Sequence, residues 1–282
     1  MKIISTERSQ VLAARISESA GIQLLDTKFS RFPDGELYLR TGETDAETVI
    51  VSSIVDSDTL VQTLLAVDAC DTSRNTLVIP YLGYARQDKR FNPGEPISAR
   101  AIARALSRGV DEIFVVNIHD PGVLQYFDAP ASNISTAPAI GEYIRQSGMD
   151  DPLVLAPDDG AARFAADIAR VGGWDTDHLE KTRISGVEVR MEPKHLPVDS
   201  REVIIVDDII STGGTLATAA GMLSRQGAAA VHAACVHGVL SSGAYARLRA
   251  AGVASVASSD TYENATSCIS AADAIAERIR RC

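Results

Sequence analysis

Short apolar segments alternate with helical patterns along most of this chain. The segments rich in Val and Ile are TVIVSSI (48–54), NTLVIPYL (75–82), EIFVVNIHD (112–120), PLVLAPDD (152–159), EVIIVDDII (202–210) and AAVHAACVH (229–237). Strands that are apolar on both faces and are separated by helices are typical of parallel sheets built from βα units. The pattern predicts an α/β protein with mainly parallel sheets flanked by helices.

A short motif occurs twice in this pattern. The spacing P-x-x-G-x-x-R is found in LVIPYLGYAR (77–86) and again in VLAPDDGAAR (154–163), each time after a strand and before a helix. The next strand of the first copy ends in His119-Asp120, and that of the second copy ends in Asp207-Asp208. Two matches in the same order favour two similarly folded halves with a ligand site between them.

The boundary between the halves is predicted from a helix end. The stretch GEYIRQSG, near residues 141–147, reads as a helix that ends at a glycine. We therefore expect an N-terminal domain over residues 1–143 and a C-terminal domain over residues 144–282. The second half also carries an insertion, TDHLEKTRISGVEVRM, that reads as a hairpin.

The stretch VIIVDDIISTGG (203–214) points to a ligand site. Ligands of open parallel sheets bind at the carboxyl ends of strands, where loops lead into helix N-termini with free N–H groups. Glycines that open a helix destabilise it by about 1 kcal/mol each relative to alanine. Their presence here therefore implies that a backbone without side chains has a function at this position. The predicted use is a phosphate site, and its loop consists of Ser211, Thr212, Gly213, Gly214 and Thr215.

The adjacent Asp207 and Asp208 need a partner of their own. Two ionised carboxylates about 4 Å apart repel each other by about 4 kcal/mol at an effective dielectric constant near 20. Sugar hydroxyls or a metal ion would relieve that repulsion. The alternative is a helix N-cap beside a solvated neighbour, which explains one aspartate but not both.

Charge and composition limit the class of protein. A formal net charge of −10 argues against a surface that coats nucleic acid, because that role requires clustered Lys and Arg. The chain has no apolar run of membrane length and no signal-peptide pattern at its start, so we expect a cytoplasmic protein with no membrane partner. The 4 cysteines are far apart in the sequence and suggest neither disulfides nor a zinc site.

Several motifs together resemble one family. VDDIISTGGT looks like the ribose-phosphate loop of type I phosphoribosyltransferases. In order and spacing, the chain resembles the ribose-phosphate pyrophosphokinase family in its archaeal-type form, through RFPDGELYLR, PYLGYARQDKRFNPGEPISAR, VVNIHD, APDDGAARFAADIA and LEKTRISG. The resemblance covers essentially the whole chain. It implies two phosphoribosyltransferase-like domains and the transfer of pyrophosphate from ATP to the 1-hydroxyl of ribose 5-phosphate.

The resemblance also implies roles for individual residues of the second half. Lys181 and Arg183 match the catalytic lysine and arginine that neutralise the transferring group. Asp207 and Asp208 match the pair that holds the ribose hydroxyls, and residues 211–215 match the loop that holds the 5-phosphate.

Magnesium is the implied metal, and ATP is the implied co-substrate. His119 and Asp158 match the magnesium-binding residues, although magnesium generally prefers oxygen ligands. Arg86 and Gln87 match ATP-contacting positions, and DKRFNPGEP after them has the composition of a mobile loop that could close over a triphosphate.

A separate segment matches the adenine site of the family. In FPDGE, Phe32 would stack on the base, and Asp34 and Glu36 are its polar neighbours. Without the resemblance, PDGE is simply a turn between strands. In the family this hairpin reaches a neighbouring subunit, which implies a homodimer or higher homo-oligomer with a shared adenine site.

Two other functions stay open at this point. A phosphoribosyltransferase would use the same ribose-phosphate loop, but it would leave FPDGE and GYARQDKR unexplained. A non-catalytic regulatory protein associated with a synthetase would keep the fold and lose site residues, whereas Lys181, Arg183, His119 and Asp158 are all present. The sequence gives no role for His237 or Asp88.

Overall fold

The computed structural model describes residues 1–179, 181–183, 189–191 and 196–281, with the backbone alone for 181–183 and 189–191. In chain order the strands are β1 (Lys2–Ser5), β2 (Thr27–Arg31), β3 (Leu37–Thr41), β4 (Glu47–Val51), β5 (Arg74–Ile79), β6 (Glu112–Val116), β7 (Ala131–Ile134), β8 (Leu153–Ala156), β9 (Thr176–His178), β10 (Lys181–Arg183), β11 (Val189–Met191), β12 (Glu202–Ile209), β13 (Ala230–His237), β14 (Val253–Ser259) and β15 (Ser267–Ile269).

The helices, also in chain order, are α1 (Gln10–Ala20), α2 (Ser57–Asp68), α3 (Ser98–Leu106), α4 (Ala137–Gln146), α5 (Ala162–Ala169), α6 (Gly214–Arg225), α7 (Ala244–Ala250) and α8 (Ala272–Ile279). Across the described ranges, no helix combines the length and apolar character that crossing a bilayer requires.

The chain divides into two compact units, Met1–Ser135 with Ser270–Cys282, and Thr136–Ile269. The first contains a five-stranded sheet in the order β1-β4-β5-β6-β7, with every neighbouring pair parallel. Val49, Ile50 and Val51 of β4 are essentially fully buried, as expected for a strand covered on both faces. An antiparallel hairpin of β2 and β3 forms a separate small sheet.

The second unit contains a six-stranded parallel sheet in the order β15-β14-β13-β12-β8-β9. Its central strand β12 lies between β13 and β8, which is why the run Val203–Val206 is apolar and buried. The α/β class with mainly parallel, helix-flanked sheets is therefore confirmed.

The inserted segment of the second half is more than a hairpin. Its first residues, Thr176–His178, form β9, which pairs in parallel with β8 at the sheet edge. The later residues form the antiparallel pair β10 and β11, with Lys181 opposite Met191. The antiparallel pairing expected of the predicted hairpin is thus present between residues 181–183 and 189–191.

The units differ from the predicted domains at both ends. The predicted boundary at 143/144 lies inside α4, and the structure divides the chain before this helix. Gly141 explains why α4 belongs to the second unit: a Cβ there would lie 2.5 Å from Val171 Cγ2, so glycine permits close packing beside the end of α5. As predicted, the helix ends before a glycine, Gly148.

The last helix, α8, returns to the first unit. Arg280 Nη1 donates a hydrogen bond to the Ser19 carbonyl at the end of α1 (2.6 Å), and Ser19 Oγ donates to Asp273 Oδ1 (2.7 Å). The Arg278 guanidinium lies 4.7 Å from the centre of the Phe114 ring in β6. Residues 270–282 therefore complete the first unit instead of extending the predicted C-terminal domain.

Candidate active site

The carboxyl ends of β12 and β8 form one edge of the second sheet. The two strands are parallel neighbours, with Ile205 of β12 opposite Leu155 of β8. Asp207 lies at the end of β12, and Asp158 follows the end of β8 by two residues. The register therefore brings two carboxylates from distant parts of the sequence to the same edge.

A cavity of about 140 Å³ opens at this edge. It contains most of the residues that the sequence assigned to the ribose-phosphate site, together with Asp158. Its lining consists of Pro157, Asp158, Asp207, Ile209, Ile210, Ser211, Thr212, Gly213, Gly214, Thr215 and Leu216. Asp208 is outside this lining, and its backbone N–H donates to Asp207 Oδ1 at 2.9 Å.

Asp207 has an unfavourable electrostatic environment. Burial is the main cause that raises the pKa of its carboxyl group well above the usual range, and the nearby charges of Asp208 and Asp158 act in the same direction. Asp158 accepts a hydrogen bond from the Ala161 N–H (3.3 Å) and so caps a short 3-10 turn. Capping explains Asp158 in part but leaves the crowding around Asp207, which hydroxyl donors or a cation would relieve.

The β12–α6 loop, residues 210–213, ends at Gly213, and Gly214 begins α6. The two glycines have different roles. Gly213 has a φ of +71°, in the left-handed region that favours glycine. A Cβ at Gly214, by contrast, would meet nothing within 4 Å. Packing does not require glycine at position 214, so its bare backbone is free for close approach of a ligand.

This helix start also suits an anion. Gly213 occupies the N-cap position of α6 and has no side chain with which to cap the first N–H groups. Uncapped N–H groups at a helix N-terminus, together with the helix dipole, favour a negatively charged group. The loop can therefore bind a phosphate without a lysine.

In the first unit, FPDGE forms the tip of the β2–β3 hairpin. The Phe32 N–H donates to the Glu36 carbonyl at 2.9 Å, and Asp34 Oδ1 accepts from the Glu36 N–H at 3.3 Å. Phe32 is 51% exposed, and its ring packs edge-to-face on Tyr38 with the centroids 5.7 Å apart. The predicted turn between strands is confirmed, and it presents an aromatic face beside two carboxylates.

The loop that carries Arg86 and Gln87 is held against the residues after β4. The Gly83 N–H donates to the Ile54 carbonyl at 3.0 Å, and a Cβ at position 83 would lie only 2.3 Å from that oxygen, so glycine is required there. Arg86 is exposed, whereas the Gln87 side chain accepts a hydrogen bond from Ser98 at the start of α3.

The hairpin and this loop are both attached to the start of α2. Arg31, beside the hairpin tip, pairs with Asp58, and Tyr84 in the loop forms a hydrogen bond of 2.7 Å with Ser57. Tyr84 has a φ of +65°, which is uncommon for an aromatic residue and is maintained only where surrounding contacts hold it. No local sequence pattern signals this shared attachment, because it joins segments that are far apart in the chain.

The segment 88–97 carries its own hydrogen bonds. Glu95 accepts from the Asn92 side chain at 2.6 Å and from the N–H groups of Phe91 and Asn92 at 2.9 and 3.0 Å, and these bonds lower the pKa of its carboxyl group. Tyr126 donates to the Asp88 carbonyl at 3.3 Å. Closure of this segment over a triphosphate stays a prediction.

The remaining predicted residues are less fully described. His119 is exposed and lies three residues after β6, and Asp120 caps the following turn by accepting from the Gly122 N–H at 2.7 Å. The side chains of Lys181 and Arg183 lie outside the described part of the chain. In the part that is described, no three or more His, Cys, Asp or Glu side chains are grouped as a metal site.

Comparison with known proteins gives a consistent result. Residues 1–109 match the family model described as the N-terminal domain of ribose phosphate pyrophosphokinase, and residues 122–268 match the phosphoribosyl transferase domain model. The ribose-phosphate pyrophosphokinase of Methanosarcina acetivorans is 47% identical over 100% of both chains. That of Methanopyrus kandleri is 40% identical over 99% of this chain and 98% of its own.

Among solved structures, the phosphoribosylpyrophosphate synthetase of Mycobacterium smegmatis matches with a TM-score of 0.83 and 29% identity, over 99% of this chain and 97% of its own. The agreement covers both units, so both are phosphoribosyltransferase-like. By sequence, by domain content and by fold, the chain belongs to the ribose-phosphate pyrophosphokinase family.

Proposed function

We propose that this protein transfers the pyrophosphoryl group of ATP to the 1-hydroxyl of ribose 5-phosphate, giving PRPP and AMP. The observation that carries the proposal is the cavity where an uncapped helix N-terminus and the β12–α6 loop lie beside Asp207 and Asp158. In this reaction the 1-hydroxyl oxygen attacks the β-phosphorus and AMP leaves. The protein must mainly position two anions and stabilise the charge that develops during transfer.

Ribose 5-phosphate is assigned to the cavity of the second unit. The first N–H groups of α6 and the hydroxyls of Ser211, Thr212 and Thr215 would bind the 5-phosphate. Asp207 and Asp208 would accept hydrogen bonds from the ribose 2- and 3-hydroxyls. The raised pKa of Asp207 supports this assignment, because donors from a sugar would relieve the crowding of negative charge.

ATP is assigned to residues of the first unit. Phe32 would stack on adenine, Asp34 and Glu36 would meet its polar edge, and Arg86 and Gln87 would bind nearby parts of the nucleotide. The exposed Phe32 ring supports the first role.

Mg²⁺ is the cation of the proposed reaction. Proteins commonly hold Mg²⁺ with one or two carboxylates, and substrate phosphates and water supply the other ligands. Asp158 fits such a site, because it lines the cavity and adds to the negative charge around Asp207. His119 is the second proposed ligand and rests on the family motif. When bound, the ion would neutralise charge on the triphosphate.

Lys181 and Arg183 are proposed as the catalytic residues, since β10 carries both positions on a hairpin of the second unit.

A homo-oligomer with a shared adenine site is part of the same proposal. The cytoplasmic location stays a prediction.

One assay tests the reaction itself. The protein is mixed with ATP, ribose 5-phosphate and Mg²⁺, and the products are separated by anion-exchange chromatography. Equal amounts of AMP and PRPP support the proposal, whereas ADP would identify transfer of a single phosphoryl group. Omitting Mg²⁺ from the same mixture tests the cation.

The acidic pair gives the first prediction. In Asp208→Asn an amide replaces a charged acceptor, so we expect KM for ribose 5-phosphate to rise by about tenfold or more while KM for ATP changes little. Steady-state kinetics with each substrate varied in turn measures both values. Asp159→Asn, an exposed aspartate to which no role in ribose 5-phosphate binding is assigned, is the matched control. Equal losses for both substrates, or loss of the circular dichroism spectrum, would favour a structural role.

A second prediction concerns Gly214. A Cβ at position 214 would have no atom within 4 Å. Gly214→Ala should therefore leave the free energy of unfolding unchanged or raise it by up to about 1 kcal/mol. The added methyl group should nevertheless hinder the approach of the 5-phosphate and raise KM for ribose 5-phosphate by roughly tenfold. Gly221→Ala, in the interior of the same helix, should gain stability without that change in KM. Equal kinetics of the two variants would remove Gly214 from the site.

A further inference from the structure

The β12–α6 loop is held by a second loop, residues 238–243. The Ile210 N–H donates to the carbonyl of His237 at 3.1 Å, and the Leu240 N–H donates to the carbonyl of Ile210 at 2.9 Å. The hydroxyls of Ser211 and Ser241 lie 3.3 Å apart. The two loops are therefore paired through both main-chain and side-chain atoms.

Arg247 of α7 joins the same two loops. One guanidinium nitrogen donates to the carbonyl of Thr212, and the other donates to the carbonyl of Ser242 at 3.3 Å. The planar guanidinium holds its donors in a fixed fork, so the two carbonyls are fixed relative to each other.

The 238–243 loop has a conformation that needs such support. Leu240 and Ser242 have φ values of +47° and +53°, which residues other than glycine rarely adopt. Strained residues of this kind persist where neighbouring contacts hold them, and they are concentrated at functional sites. Asn264 adds a further contact by donating from Nδ2 to the Gly238 carbonyl at 2.7 Å.

The direction of the loop N–H groups follows from peptide geometry. In a trans peptide, the C=O of one residue and the N–H of the next point in opposite directions. The Thr212 carbonyl points toward Arg247, so the Gly213 N–H points away from Arg247. The Ile210 carbonyl points toward the Leu240 N–H, so the Ser211 N–H points away from Leu240. Both Ser211 and Gly213 line the cavity.

We propose that Arg247 is a positioning residue for ribose 5-phosphate: by binding the Thr212 and Ser242 carbonyls, it keeps the N–H groups of the β12–α6 loop oriented for the phosphate. The substrate named here rests on the proposed function. Arg247 itself is exposed and outside the cavity lining, so it acts through the loop.

Kinetics of three variants test this role. In Arg247→Gln we expect KM for ribose 5-phosphate to rise roughly fivefold to tenfold, as for the loss of charge-assisted hydrogen bonds, with KM for ATP and kcat little changed. In Arg247→Lys the KM for ribose 5-phosphate should lie between the values of Arg247→Gln and the unmodified protein, because one ammonium group cannot reproduce the forked donors of a guanidinium. Arg249→Gln is the matched control, since Arg249 lies on the same helix but donates to the carbonyls of Val253 and Ala254.

Hydrogen–deuterium exchange tests the loop independently of catalysis. Peptides that cover residues 209–216 should exchange faster in Arg247→Gln than in Arg249→Gln, at equal melting temperatures. If the unmodified protein makes no PRPP, the proposed function fails, and the exchange result still decides whether Arg247 orders the loop. Unchanged exchange of residues 209–216 in Arg247→Gln would overturn the proposal. Equal losses of affinity for ATP and ribose 5-phosphate in this variant would also overturn it, and so would normal KM values for both substrates.

Discussion

Replacing Lys181 with alanine is expected to lower kcat by on the order of 10²–10³-fold while changing ATP affinity little. The reason is that a lysine which neutralises the charge that develops during pyrophosphoryl transfer stabilises the transition state more than it stabilises either bound substrate. Steady-state kinetics gives kcat, and equilibrium titration with ATP gives affinity in the absence of turnover.

The control for this variant is Lys28→Ala, which removes an equal charge from the exposed face of β2. It should keep normal kcat. A Lys181→Ala protein with nearly normal kcat and only a raised KM would show that the lysine binds substrate without a catalytic role.

The second large effect is expected from a mixture of two inactive proteins. If one subunit supplies the adenine hairpin and the other supplies the catalytic hairpin, Phe32→Ala and Lys181→Ala should each be nearly inactive alone. In a random mixture of co-expressed subunits, half of the dimers are mixed and each mixed dimer has one intact site, so about a quarter of normal activity should return. Activity per site is measured after purifying the mixture.

A second pair of variants controls for nonspecific recovery. Lys181→Ala and Arg183→Ala alter the same hairpin, so no mixed dimer of these two contains an intact site and no activity should return. Hybrids of the Phe32 and Lys181 variants that form without recovery would exclude a shared site. An active protein that sediments as a monomer would exclude it as well.

Local sequence patterns were sufficient for the strands and for the glycine-containing loop after β12. The apolar run Val203–Val206 predicts a buried central strand, because such a strand is covered on both faces and must be apolar throughout. The glycines after it predict a loop that leaves N–H groups open. Both features depend on consecutive residues, and both are observed.

Contacts between distant segments could not be predicted in the same way. The amphipathic pattern of α8 predicts that one face is buried, but it does not specify α1 as the partner, and for that reason residues 270–282 were predicted in the C-terminal domain. The contact of Arg247 with Thr212 also has no local signal, since a surface arginine on a short helix reads as solvated. The pairing of residues 238–243 with the β12–α6 loop likewise depends on contacts that sequence order does not reveal.

The return of α8 to the first unit has a consequence for biosynthesis. The second unit is one continuous segment, 136–269, whereas the first unit consists of two segments separated by all of the second. Domains of a nascent chain form as their residues emerge from the ribosome, and every residue of the second unit emerges before α8 does. The contact between α1 and α8 then closes a loop that contains the whole second unit, and the entropy cost of closing such a loop is lower once the intervening chain is compact.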